Sequence, residues 1–135
     1  MDNGLTVLLQ PDPSTALVAV CVLYKVGSRD EQDTKTGIAH LFEHLMFSNN
    51  GPGIDFDSIL QNAGGECNAF TTTDTTQYYS VAPSNQLELL LALESNRISG
   101  FHVSQKDFKT QQRVVIEEFS EMYLNNPYGD FNHIL

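Results

Sequence analysis

Residues 67–82 read CNAFTTTDTTQYYSVA, and this segment predicts a β-hairpin. Cys67 to Thr72 and Thr76 to Ala82 are rich in β-branched and aromatic residues, which favour strands. The short polar run Thr73-Asp74-Thr75 between them is long enough only for a turn. Two strands joined by such a turn pair antiparallel. The chain is therefore expected to contain an antiparallel sheet.

Two further strand-like segments precede the hairpin. Leu5 to Gln10 and Ala16 to Val26 are rich in Val and Leu, and the turn-forming Pro11 to Ser14 separates them. The second segment is apolar on both faces, so we expect it in the centre of the sheet. Gly27 to Thr36 is polar and charged, which predicts a surface loop.

Four segments have helical patterns. Ile38 to Phe47 is short and apolar, and Asp55 to Ala63 is amphipathic with glycines after it, which favour a helix end. Asn85 to Ile98 is apolar on nearly all sides and predicts a buried helix. The last helix is expected to begin at Ser104, three residues before Asp107 as in a capping box, and to run to Pro127. This order of elements predicts an α+β fold, with a mostly antiparallel sheet packed against helices.

Composition narrows the classes of protein. The 135 residues are 41% hydrophobic, which suits one domain with its own core. Seventeen acidic residues against seven basic ones give a net charge of -10, which disfavours a nucleic-acid partner. The longest apolar run, Ala16 to Tyr24, is nine residues, whereas a membrane span needs about 20. Cys21 and Cys67 form no metal-type motif and are expected to be buried free thiols.

The helix IAHLFEHLMF, residues 38–47, has three polar side chains: His40, Glu43 and His44. Spacings of three and four residues place them on one face, with the imidazoles one turn apart. Burying these groups without partners would cost roughly 1 to 3 kcal/mol each, and more for the carboxylate. A zinc ion removes that cost, and the motif H-x-x-E-H supplies two ligands and a carboxylate beside the metal. The alternative is a coincidental surface triplet, which the flanking apolar residues disfavour.

The periodicity of the last helix nominates a third ligand. Glu118 lies at the edge of the apolar face and Glu117 points to the opposite side. For Glu118 a ligand role and an ordinary solvated charge both remain open, whereas Glu117 and Glu121 are expected in solvent. Four residues within about 40° of one direction define that apolar face: Phe108, Val115, Phe119 and Met122.

Three motifs in this order resemble the pitrilysin/insulinase family of zinc peptidases, also called inverzincins: residues 40–47, 68–71 and 113–118. Residues 26–31 and 126–130 are also similar to bacterial members, so the resemblance covers essentially the whole chain. It implies one zinc ion held by His40, His44 and Glu118, with Glu43 as the general base of peptide hydrolysis.

The resemblance also implies a mode of substrate binding. Family members add an extended peptide as a strand beside the segment that matches Asn68 to Phe70. This implies substrate contacts from Asn68 and Ala69, with Phe70 and Phe47 lining a pocket near the cleaved bond. For both aromatic residues, packing in the core is an equal alternative.

The chain departs from the family in two respects. Gln111 stands where members commonly have a glutamate, so the role of that carboxylate is not carried over. The family's catalytic domain is also much longer and closes on a homologous second domain. His102 and His133 fit no motif and are expected at the surface or in packing roles.

The resemblance therefore identifies residues 1–135 as the N-terminal segment of an incomplete pitrilysin-like half-domain, whose partners are an unfolded polypeptide and a homologous second domain or subunit. The isolated segment is expected to be soluble, to bind zinc, to turn over little substrate and to self-associate. The compartment is left open. The competing hypothesis is a non-catalytic peptide-binding or assembly module with a structural zinc. An intact H-x-x-E-H favours the endopeptidase, and the shortness of the chain favours the module.

Overall fold

The secondary structure follows the predicted order in most of the chain. The computed structural model describes residues 1–48, 55–99 and 101–125. The strands are β1 (Leu17–Tyr24), β2 (Glu66–Thr71) and β3 (Thr76–Pro83). The helices are α1 (Ile38–Ser48), α2 (Phe56–Asn62), α3 (Leu87–Ser99) and α4 (Gln105–Phe119), and a wider π-helical turn, Ser120–Leu124, continues α4. The α+β class is confirmed.

The described strands form one antiparallel sheet in the order β1-β3-β2. Ser80 of β3 lies opposite Val20 on one side and Cys67 on the other, so the predicted hairpin is confirmed. The prediction that β1 is central is wrong for the described residues, where β3 is central and β1 is an edge strand. An apolar sequence indicates that the side chains of a strand can be buried. It does not indicate which strands pair with it, and the strand order depends on that pairing.

Helices cover one face of the sheet. The side chains of β3 alternate between buried and half-buried, as expected for a strand with one covered face. The core lies between this face and the helices, and is formed by Phe56, Leu60, Ala82, Leu90 and Leu93. Apolar side chains of the opposite face, here called the open face, are exposed: Leu17, Leu23 and Phe70.

Two predictions at the N-terminal end are corrected. Leu5 to Gln10 forms no strand and is exposed, because no described strand lies beside it to complete a hydrogen-bonded ladder. Cys21 is exposed on the open face, and Cys67 is half-buried on the covered face. Both thiols are free, as predicted, but neither is fully buried.

The two long helices are less buried than the sequence predicts. Only one side of α3 is covered, so Leu90 is buried and Leu91 is exposed. The apolar face expected for α4 is largely exposed at Phe108, Phe119 and Met122, and Val115 is half-buried. The reason is that α4 contacts α1 through a neighbouring side of the helix, which carries Gln111 and Glu118.

The start of α4 is as predicted, since the Ser104 hydroxyl accepts a hydrogen bond from the Asp107 N–H at 3.1 Å. Three sequence features lie outside the described residues: the predicted end of α4 at Pro127, the motif at 126–130 and His133. His102 is exposed, as expected. No helix in the described part of the chain has the length and apolar character to cross a membrane.

Candidate metal centre

The helix with the H-x-x-E-H motif is held at its N-terminal end by a side chain from the preceding loop. The two carboxylate oxygens of Glu31 accept hydrogen bonds from the N–H groups of Gly37 and Ala39, both at 2.7 Å. These are backbone donors that a helix start leaves without partners inside the helix. Gly37 has a φ of 79°, a conformation that glycine adopts at little cost. Glu31 therefore fixes where α1 begins.

The other end of α1 is held by a buried arginine. Arg97 of α3 is 0% exposed and donates to the carbonyl oxygen of Met46 at 3.2 Å. Two further side-chain bonds go to Glu94, at 3.0 Å from Nε and 3.3 Å from Nη2. Three aromatic rings surround the guanidinium, with centroids at 4.9, 4.2 and 4.8 Å: Phe47, Phe56 and Tyr78. Arg97 thus joins α1 to α3 beneath the motif.

With both ends of α1 fixed, the two motif histidines meet a carboxylate from α4. The Nε2 atoms of His40 and His44 are 3.1 Å apart. Each lies 3.4 Å from Oε2 of Glu118. In the described part of the chain this is the one group of His, Cys, Asp and Glu side chains that is close enough to hold a metal ion.

These separations fit a tetrahedral zinc ion. Zinc binds imidazole nitrogen and carboxylate oxygen at about 2.0 to 2.1 Å, so neighbouring ligand atoms lie about 3.4 Å apart. The side chains of His40, His44 and Glu118 are 38%, 19% and 43% exposed, so the group is open to solvent on one side. Three protein ligands and an open side are typical of a catalytic rather than a structural zinc site.

Glu43 lies beside this group in the same cavity, which has a volume of about 500 Å³. Glu43 is 9% exposed, and one carboxylate oxygen accepts a hydrogen bond from the Thr71 hydroxyl. The cavity combines four elements, and its lining residues are His40, Glu43, His44, Phe47, Asp57, Asn68, Gln111 and Glu118.

The structure brings together most, but not all, of the predicted site residues. Phe47 and Asn68 line the cavity, whereas Ala69 and Phe70 are not among its lining residues. Phe70 is exposed on the open face, and Phe47 packs against Tyr78 with ring centroids 5.8 Å apart. Glu117 is exposed, as the periodicity of α4 predicts.

The sequence did not indicate three contacts that support the motif helix from other elements, those of Glu31, Arg97 and Thr71. Glu31 and Thr71 do belong to segments that resemble the family, residues 26–31 and 68–71. A glutamate upstream of a helix with no capping residue of its own was a usable signal for Glu31. Nothing in the local pattern marks Arg97, and Thr71 is marked only as part of the segment 68–71.

Two polar groups that contact residues lining the cavity are unsuited to act as nucleophiles at neutral pH. Burial raises the pKa of the Cys67 thiol to about 12, and its hydrogen bond to Asp57, at 3.1 Å, contributes to the rise. Burial also raises the pKa of the Tyr78 hydroxyl, and the negative charge of Glu43 adds to that effect.

The side chains of this cavity are suited to hold a metal ion. Comparison with known proteins identifies the family. The model of the family described as Insulinase (Peptidase family M16) matches residues 6–129 of this chain. The chain belongs to this family.

Relatives named as zinc proteases match along nearly the whole chain. It is 36% identical over 132 residues to the zinc protease PqqE of Helicobacter pylori, covering 96% of this chain and 30% of the relative. It is 33% identical over 143 residues to an uncharacterised zinc protease of Mycobacterium leprae, covering 96% of this chain and 32% of the relative. The chain therefore spans about a third of the length of these curated relatives.

Solved structures agree on the fold. A protease from Helicobacter pylori matches with a TM-score of 0.80 at 37% identity, over 85% of this chain and 28% of that one. Pitrilysin matches with a TM-score of 0.73 at 22% identity, over 82% of this chain and 12% of that one, a similarity of fold alone. The α+β fold is thus the one that pitrilysin-like proteins share.

Proposed function

We propose that this chain carries the zinc ligands and the general base of a zinc metalloendopeptidase that hydrolyses extended polypeptides. The observation that carries the proposal is the convergence of His40, His44 and Glu118 at separations of 3.1 to 3.4 Å, with buried Glu43 in the same cavity. The zinc proteases among the relatives support it.

In the proposed reaction, the metal-binding residues and Glu43 have separate roles. His40, His44 and Glu118 would hold one zinc ion, which would act as a Lewis acid on the peptide carbonyl and would lower the pKa of water at the site to about 7. Glu43 accepts a proton from the attacking water and delivers it to the departing amine. Its near-complete burial limits competing solvent and keeps the carboxylate beside the reacting groups.

The edge strand β2 is the proposed substrate strand. Among the described residues β2 pairs only with β3, so its other edge is open to an added strand. The N–H of Ala69 donates to the side chain of Asn68 at 2.8 Å, and Asn68 also lines the cavity. A peptide added at this edge takes over such contacts and lies next to Glu43. Phe47 and Phe70 are proposed to contact its side chains.

We assign residues 1–135 to the first part of a catalytic half that works with a homologous second domain or subunit. The chain covers about a third of its relatives, and the open face exposes Leu17, Leu23 and Phe70. An exposed apolar sheet face and an open strand edge favour association. The isolated segment therefore binds zinc, lacks most of the positioning that peptide hydrolysis needs and self-associates.

Replacement of the base tests the proposal. In the full-length enzyme with its second half, Glu43→Gln keeps zinc and lowers kcat for an extended peptide by about 10² to 10⁴, the usual contribution of a positioned general base. The matched control is Glu117→Gln, which makes the same change at an exposed position and leaves kcat unaltered.

Unchanged hydrolysis in the Glu43→Gln enzyme contradicts the mechanism. Peptide binding without hydrolysis by the unmutated enzyme, with zinc present, would instead support a non-catalytic module.

A further inference from the structure

We propose that Thr71 is a positioning residue that sets the orientation of the Glu43 carboxylate, an inference that rests on the proposed function. The Thr71 hydroxyl donates a hydrogen bond to Oε2 of Glu43. The two residues are 28 positions apart in sequence and belong to β2 and α1. This contact links the strand and the helix that line the cavity.

The backbone of α1 fixes where Glu43 begins but not where its carboxylate points. A glutamate side chain has three rotatable bonds, and a general base must lie within about 2.6 to 3.2 Å of the proton it accepts. A hydrogen bond to one carboxylate oxygen removes most of that freedom. The second oxygen is then the one that accepts the proton from water.

Thr71 is suited to this role by its side chain and its place in the sheet. A β-branched residue in a strand has restricted rotation about χ1, so its hydroxyl points in a defined direction. Thr71 pairs with Thr76 of β3, and that pairing holds its backbone in the ladder. Because Thr71 and the substrate-binding residue Asn68 lie on the same strand, one element sets both the register of the peptide and the position of the base.

The test uses three single variants of the full-length enzyme with its second half. Thr71→Val keeps the side-chain shape and removes the hydroxyl, whereas Thr71→Ser keeps the hydroxyl. The control is Thr73→Val, which replaces threonine by valine at an exposed turn residue. We expect Thr71→Val to lower kcat by about 10- to 100-fold, the usual effect of a hydrogen bond to a charged group. We expect KM to stay within about twofold and zinc content to be unchanged. Thr71→Ser retains most of the activity, and Thr73→Val retains all of it.

A double-mutant cycle separates positioning from general support of the fold. If Thr71 acts through Glu43, then Thr71→Val causes no further loss of kcat in an enzyme that already carries Glu43→Gln. Equal losses in both backgrounds, or an unchanged kcat in Thr71→Val alone, overturn the inference.

The failure of this inference is distinguishable from the failure of the proposed function. If Glu43→Gln itself leaves hydrolysis intact, the proposed function is wrong. If Glu43→Gln inactivates the enzyme while Thr71→Val does not, only the role of Thr71 is wrong. Should Thr71→Val fail to fold, Thr71→Ser is compared with Thr71→Ala, which differs from it by the hydroxyl alone. Equal kcat values for that pair also overturn the inference.

Discussion

The chain contains two clusters of polar side chains that differ in how their hydrogen-bonding groups are used. In the closed cluster, Arg97 is 0% exposed and its guanidinium bonds to Glu94 and the Met46 carbonyl. In the open cluster, His40, His44 and Glu118 converge within 3.4 Å of one another and remain partly exposed.

The difference indicates which group can accept a ligand. A buried charge is tolerated when protein partners satisfy its hydrogen bonds, as they do for Arg97. The open cluster instead turns two ring nitrogens and a carboxylate oxygen toward one point, and all three are atoms that can ligate a metal. The closed cluster is structural, and the open one is suited to bind an ion.

The largest effect is expected from removing a histidine of the open cluster. His40→Ala or His44→Ala leaves two protein ligands where a catalytic zinc site needs three, so zinc binding is abolished. Metal content after dialysis measures the loss, and His102→Ala, at an exposed residue outside the cluster, is the control. Retention of stoichiometric zinc by either variant would place the ion elsewhere.

The next largest effect falls on the closed cluster and is an effect on stability. Arg97→Met leaves the Glu94 carboxylate buried without its partner, which costs about 3 to 5 kcal/mol of unfolding free energy. Replacing both residues, as Arg97→Met with Glu94→Leu, costs less because no charge stays buried. Urea denaturation of the full-length protein measures both, with exposed Arg113→Met as the control. A single-variant loss below about 1 kcal/mol would mean that the cluster is not structural.

A smaller effect distinguishes adjacent residues of α4. Glu118→Gln keeps an oxygen at the ligand position but removes its charge. We expect it to weaken zinc binding by about 100-fold, which is the upper end of the losses caused by substituting residues that hydrogen-bond to metal ligands. Glu117→Gln is expected to change the affinity by less than about twofold, because Glu117 is exposed. Competition with a chelator measures both. Equal effects would show that Glu118 is not a ligand.

The parts of the molecule that could be predicted from sequence depend on short-range patterns. The hairpin follows from two strands and a short turn, and the pairing of His40 with His44 follows from a spacing of four residues. Helical periodicity correctly placed Glu118 nearer the covered side of α4 than Glu117, which is exposed, and left the role of Glu118 as a ligand open. In each case the physical rule acts within one element or across one turn.

The parts that could not be predicted depend on contacts between distant segments. Arg97 and Met46 are 51 positions apart, and nothing around either residue indicates the other. Thr71 belongs to the segment 68–71 that resembles the family, but its contact with Glu43 depends on how the sheet packs against α1. The edge position of β1 was missed for a related reason, since its apolar side chains do not report which strands pair with it.

The contrast with the least expected effect on zinc binding or folding concerns two thiols, one in closed and one in open surroundings. Cys67 faces the helices and has a pKa raised to about 12 by burial and by Asp57, whereas Cys21 is exposed on the open face. Because the thiolate is the reactive form, only about one in ten thousand Cys67 side chains is reactive at pH 8. Iodoacetamide should therefore label Cys21 well before Cys67, and labelling of Cys67 should rise about tenfold per pH unit below its pKa. Peptide mass spectrometry measures both rates.

Asp57→Asn removes a charge that disfavours the thiolate and should speed labelling of Cys67, while Cys21→Ser should leave the labelling rate of Cys67 unchanged. Equal rates for the two cysteines at pH 8 would mean that the covered face of the sheet is as open to solvent as the other.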